Sequence, residues 1–176
     1  MQTDLVEYLF GDILGKFSHV FSFCELGFRN ELMIQMFSRK IRPGTSVMWP
    51  GRNFDQVHFV MKGQVECQLR NGLCFFKLTP GTVFGDYQIL LGLKSNMLFR
   101  VPQDLDQEQE DVHVMGVYKE VFFNLLEMYP KTQEALQELC LLKREIMLHY
   151  MEMNVNFDYK PPLNKRMMSI RRRRTE

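Results

Sequence analysis

The spacing of apolar residues changes period twice along the chain. Leu5, Leu9, Ile13, Phe17 and Val20 recur at steps of four, four, four and three, the signature of one apolar helix face, with Asp4 and Glu7 placed as an N-cap and its N3 partner. This predicts an amphipathic helix over residues 4–21. A second helix is predicted from Gly27, where Phe28, Leu32, Met36 and Phe37 share a face, ending before the turn Arg42-Pro43-Gly44. From Thr45 the period falls to two. Short runs at Ser46–Trp49, Val57–Met61, Val65–Leu69 and Leu73–Leu78 are separated by Pro50-Gly51, Lys62-Gly63 and Asn71-Gly72, and Asn-Gly between alternating runs is a strong hairpin signal. Each glycine between Gly44 and Gly85 sits where a tight reversal calls for positive φ.

After Pro80-Gly81 comes Phe84-Gly85-Asp86, a short helical segment Tyr87–Leu91, and a turn at Gly92. Strands are expected again at Asn96–Val101 and Val112–Val117, divided by an acidic excursion over 102–111. The last third returns to helical spacing. Val121, Phe122, Leu125 and Leu126 form a short amphipathic turn ending at Tyr129-Pro130, and residues 131–153 keep Ala135, Leu139, Leu142, Ile146 and Tyr150 in register. The organisation predicted is therefore N-terminal helices over 1–43, a β-roll with C-terminal helices over 44–153, and a tail over 154–176. There is no internal repeat.

Composition narrows the class. At 176 residues and 45% hydrophobic content the chain can bury a full core. No apolar run approaches the roughly 18 to 20 residues of a membrane span, and no signal-peptide order opens the sequence, so a cytoplasmic location is expected. Cys24, Cys67, Cys74 and Cys140 show no CxxC spacing, and no histidine pair stands at metal spacing, so buried thiols are expected rather than disulfides or a metal. The net charge of +1 hides an asymmetry: over 160–176 seven basic residues face Glu176 alone, making that stretch +6 and the rest of the chain −5. Arg171 to Arg174 would attract anionic lipid, acidic protein or nucleic acid with little selectivity, and Ser169, three residues after Arg166, fits a short basophilic-kinase pattern.

An enzyme is not expected. His19, His58, His113 and His149 lie far apart and none accompanies a nucleophile motif. His58 and His113 fall in predicted strands, where a hydrogen-bonded structural histidine is the expected role.

The order Pro43-Gly44, Gly51, Val57 to Gly63, Pro80-Gly81, Phe84-Gly85-Asp86, and Phe122 to Tyr129-Pro130 resembles the cyclic nucleotide-binding domain family from about Phe21 to Tyr150. The resemblance implies an α+β fold: a β-barrel or jelly roll flanked by N-terminal helices and closed by a C-terminal lid helix. It implies that cAMP or cGMP would lie against Phe84, Gly85, Asp86, Tyr87 and Gln88, with the phosphate at Gly85 and the amides that follow it. Asp86 stands where family members usually carry Glu for the ribose 2′-hydroxyl. The phosphate-pairing Arg expected three residues after the turn glycine is replaced by Ser95, with Lys94 and Asn96 beside it. Without that bidentate fork, one to two decades of affinity are forfeited, from roughly 1.5 to 3 kcal/mol. Arg100, the nearest arginine, is expected to be a surface charge at the barrel rim. Leu142 and Ile146, with Leu139, would close over the base.

The residues before the barrel look like the linker helix that precedes this domain in cyclic-nucleotide-gated, hyperpolarisation-activated and ether-à-go-go-type channels. That likeness implies a regulatory gating module of a cation channel, of potassium or cyclic-nucleotide-gated type, assembled as a homotetramer through the N-terminal helices. Ether-à-go-go-type members fill the pocket with part of their own chain, and Val155, Phe157 or Tyr159 would play that part here. The alternative is a non-channel interaction or scaffold protein acting through its pocket and basic tail.

Overall fold

The computed structural model describes residues 11–69, 72–103 and 110–154. Asp4, Glu7, Leu5 and Leu9, most of the acidic excursion, and the whole basic tail with Val155, Phe157 and Tyr159 lie outside the described residues. Helical turns over 11–16 (α1) lead to α2 (Ser18–Phe21) and α3 (Leu26–Gln35). Among the described residues eight strands follow: β1 (Phe37–Ile41), β2 (Ser46–Met48), β3 (Gln56–Lys62), β4 (Val65–Gln68), β5 (Cys74–Leu78), β6 (Val83–Phe84), β7 (Leu98–Arg100) and β8 (Val112–Tyr118). Helix α4 (Asp86–Leu91) sits between β6 and β7, and α5 (Lys119–Met128) and α6 (Pro130–Asn154) close the order.

The strands form two antiparallel four-stranded sheets, ordered β1-β8-β3-β6 and β2-β7-β4-β5. This is the jelly-roll arrangement expected of the α+β reading. Two compact units divide the chain, Met1–Arg144 and Glu145–Glu176; both sheets and α1 to α5 belong to the first, and the boundary falls within α6.

Strand β3 is buried at four successive positions, Val57 to Val60, because both of its faces are covered. Phe59 meets Phe17 edge-on at 5.1 Å and stacks with Phe21 at 6.0 Å, which seats the N-terminal helices on the outside of the sheet. His58, pointing the other way, stacks on Phe84 at 4.7 Å, and Phe84 stacks in turn on Phe99 of the second sheet at 5.5 Å. Phe54 closes this interior cluster edge-on, 5.3 Å from Phe99. Aromatic rings thus tie the two sheets together across the roll.

One element departs from the sequence reading. The helix expected to reach Arg42 ends at Gln35, Met36 is extended (φ −70°, ψ 139°), and the following five residues are β1, paired with β8 from Phe37↔Gly116 to Ile41↔Val112. Only Ile41 of this strand is buried, so its apolar pattern is too sparse to announce a strand. Pairing with β8 decides it. The ring of Phe37 lies over Gly116, where a Cβ would come within 2.7 Å of it.

Candidate functional site

The site is organised by α4. Gly85 caps this helix in the left-handed conformation (φ 85°), and a Cβ there would stand 2.8 Å from the Gln56 carbonyl oxygen and 2.9 Å from the Phe54 ring. Glycine is required on both counts. The helix stops after six residues at Gly92, also left-handed at φ 63°, with the Leu93 amide donating to the Gln88 carbonyl at 2.8 Å, a C-terminal closure of Schellman type.

Asp86, the first residue of α4, is 7% exposed. Its Oδ2 accepts from Lys143 Nζ in a charge-assisted bond and lies 4.0 Å from the Cys140 thiol; both partners are on α6. Its Oδ1 is buried without a hydrogen-bond partner. Burial, and then the Asp86 charge, push the Cys140 thiol far up from its ordinary range, with Lys143 opposing. The carboxylate borders a cavity of about 20 Å³ whose walls include Phe21, Cys24, Val57, Phe59 and Phe122.

Ser95, at the position where the resemblance expects Arg, is 3% exposed and its hydroxyl is fully engaged. It donates to the Met97 carbonyl at 2.7 Å and accepts from the Met97 amide at 3.3 Å. Its backbone is tied to the turn opposite, the amide donating to Arg52 O at 2.8 Å and the carbonyl accepting from Gly51 at 2.7 Å. Lys94 is exposed, while Tyr87 and Asn96 are half-buried. Phe84 belongs to the interior ring stack. Gln88 is 1% exposed with both amide atoms unpartnered. Arg100 is half-buried rather than at the surface, paired in register with Glu66 and Ser46, and its Nε has no partner.

On α6 the structure turns a different face inward from the one expected. Thr132, Leu136 and Cys140 are buried and Lys143 follows at the next turn, whereas Leu142 and Ile146 are exposed and Leu139 is half-buried. Leu139 and Leu142 are therefore not on the inward stripe of this part of α6. The start of α6 is anchored instead by polar contacts to the start of α3. Glu25, the N-cap of α3, donates its amide to Thr132 Oγ1 at 2.9 Å, and its carboxylate accepts from the Thr132 amide and hydroxyl, each at 3.3 Å. Tyr129 OH donates to Glu31 at 2.7 Å beside this junction.

His58 also departs from expectation. It is 3% exposed and neither ring nitrogen has a hydrogen-bond partner, so it is not the hydrogen-bonded structural histidine the sequence suggested. Burial, reinforced by the Arg39 charge, lowers its pKa from 6.5 to about 4, with Asp55 and the Gln56 backbone pulling weakly the other way.

These residues do not fit a cyclic nucleotide in this arrangement. The Asp86 carboxylate is taken by Lys143, and Ser95 has no free hydroxyl and no charge with which to meet a phosphate. Among the described residues no cluster of three or more His, Cys, Asp or Glu side chains could hold a metal ion, and no helix is long and apolar enough to cross a membrane.

Comparison with solved structures finds the same fold in cAMP bound PfPKA-R (141-441), at a TM-score of 0.67 and 13% sequence identity, the match covering 86% of this chain and 48% of that one. The chain spans about half the length of that structure. The matches number 355 solved chains, so the likeness establishes the cyclic nucleotide-binding type of jelly roll, a fold from which ligand and role do not follow. No protein-family model matches the sequence. No curated protein matches it either.

Proposed function

We propose that the chain is a regulatory module of the cyclic nucleotide-binding fold whose closed state is held by its own lysine rather than by a nucleotide. The observation that carries this reading is the Lys143 ammonium on Asp86 Oδ2: the carboxylate that would receive a ribose hydroxyl is occupied by a cation from α6. The transmission elements are those that touch both ends of this contact. Helix α4 packs on β3, β3 carries Phe59 against Phe17 and Phe21 of the N-terminal segment, and α6 is joined to α3 through Glu25 and Thr132. A change in how α6 rests on α4 therefore reaches the helices that precede the sheets.

In the setting we favour, those helices lead from the pore of a cation channel and the module gates it from the cytoplasmic side. Support comes from the helix-before-barrel order and from the loss of the phosphate-pairing Arg. A ligand or partner segment can move such an equilibrium only by its differential affinity for the two states, and any nucleotide would have to displace Lys143 without a guanidinium to repay it.

Isothermal titration of the full chain with cAMP and with cGMP, up to about 1 mM, tests the reading. The expected result is no saturable heat. Saturable heat in the micromolar range, abolished in a Gly85→Glu variant, would overturn it and make the chain a nucleotide sensor.

A further inference from the structure

Strand β1 stands at an edge of its sheet. Among the described residues it pairs with β8 alone, so one row of its backbone N–H and C=O groups has no strand beside it, a ready template for an added strand. The side chains along this edge are basic. Arg39 and Lys40 are exposed, and Arg42 is exposed immediately beyond the strand end. Successive side chains on a strand point to opposite faces, so Arg39 and Lys40 place a cation on each face of the edge. The paired strand supplies no counter-charge, because Arg39 lies opposite Val114 and Lys40 opposite His113. At the other end of β1 the ring of Phe37 stacks on Tyr118 at 4.8 Å, and Tyr118 is 51% exposed, giving an apolar footing beside the cations.

From this geometry we infer that the β1 edge is a docking site for an extended acidic peptide segment of a partner protein, added antiparallel or parallel as a fifth strand. Carboxylates on two adjacent residues of such a segment, which point to opposite faces, meet Arg39 on one face and Lys40 on the other, and an aromatic or aliphatic residue at one end rests on Phe37 and Tyr118. A second copy of this chain is disfavoured as the occupant, since pairing β1 with β1 sets like charges side by side. The inference is independent of what occupies Asp86.

The test is fluorescence anisotropy of a labelled hexapeptide, Val-Thr-Glu-Glu-Thr-Phe, titrated with the full chain at low salt. Saturable binding below about 1 mM is expected, with at least about a tenfold loss in Arg39→Glu/Lys40→Glu and little loss in Arg52→Glu/Lys131→Glu, which makes the same charge change at other exposed positions. Both variants are checked for fold by circular dichroism. Of two peptides N-methylated on alternate residues, one should lose binding, because methylation removes the donors that face the strand and leaves the charge intact. No saturation, equal loss in the two charge variants, undiminished binding of both methylated peptides, or equal competition by a six-nucleotide oligothymidylate would each overturn strand addition by an acidic peptide.

Discussion

His58 makes the stability of this fold depend on pH in a calculable way. In the folded chain the imidazole is sandwiched in an aromatic interior, 3% exposed and without a hydrogen-bond partner, and its pKa is lowered from 6.5 to about 4. Because the folded value is depressed, the unfolded chain binds the proton more tightly. The stability associated with the neutral ring is fully present above 6.5 and is lost as pH falls through the folded value. Taking these two values, the loss reaches about 2 kcal/mol at pH 5 and approaches about 3.4 kcal/mol well below pH 4. A His58→Phe variant keeps a flat ring to stack on Phe84 and removes two orphaned polar atoms, so at pH 7 it should be within about 1 kcal/mol of the parent or more stable. Urea unfolding of both proteins, followed by circular dichroism at several values between pH 7 and pH 5, isolates the effect, since His19, His113, His149 and all carboxylates are common to both. The parent should lose about 2 kcal/mol more than the variant over that interval. Parallel stability curves, within about 0.5 kcal/mol, would show that the folded chain accommodates a charged His58 and would refute the argument.

Two further outcomes follow from α4 and its clasp. Lys143→Met leaves the buried Asp86 carboxylate with only a thiol beside it and should cost about 3 kcal/mol in urea unfolding. Asp86→Asn alone should cost about 1 kcal/mol and Asp86→Asn/Lys143→Met about 2 kcal/mol, so the double-mutant cycle should return a coupling of about 2 kcal/mol; a value below about 0.5 would mean the pair does not hold α6. Gly85→Ala should destabilise by about 3 kcal/mol, from left-handed strain plus collision with the Gln56 carbonyl, whereas Gly92→Ala, with nothing within 4 Å of the added Cβ, should show only the strain of about 1 kcal/mol. Equal losses at the two glycines would count against the close approach at Gly85.

What could be read from the residues was local. The alternating runs from Ser46 to Leu78 became β2 to β5, and the glycines at 44, 51, 63, 72, 81 and 85 all have positive φ, because a tight reversal is decided by the few residues inside it. The turn glycine of Phe84-Gly85-Asp86 was legible for the same reason. What failed depended on partners far away in sequence. Strand β1 exists because β8, some seventy-five residues later, offers Gly116 beneath Phe37. The inward face of α6 was not legible because Leu139 and Leu142 are the more apolar pair, while the face that meets the rest of the fold is Thr132, Leu136, Cys140 and Lys143. A threonine and a lysine on an inward stripe look like errors until Glu25 and Asp86 are in place to receive them. The setting of His58 was not legible because its ring neighbours, Phe54 and Phe84, reach it from two separate segments.

The anchoring of Thr132 to Glu25 sets a mechanical advantage. With the start of α6 pinned at that point and Lys143 eleven residues along, the helix is an arm of about 16 Å. A tilt of about 10° at the pinned end would carry the Lys143 end sideways by about 3 Å, enough to part the ammonium from Asp86. The same tilt moves Leu136, a third of the way out, by only about 1 Å, within what a packed apolar contact absorbs. The polar contact at the far end would therefore part while the near apolar contacts persist, so a small rotation beside α3 would be felt first at α4.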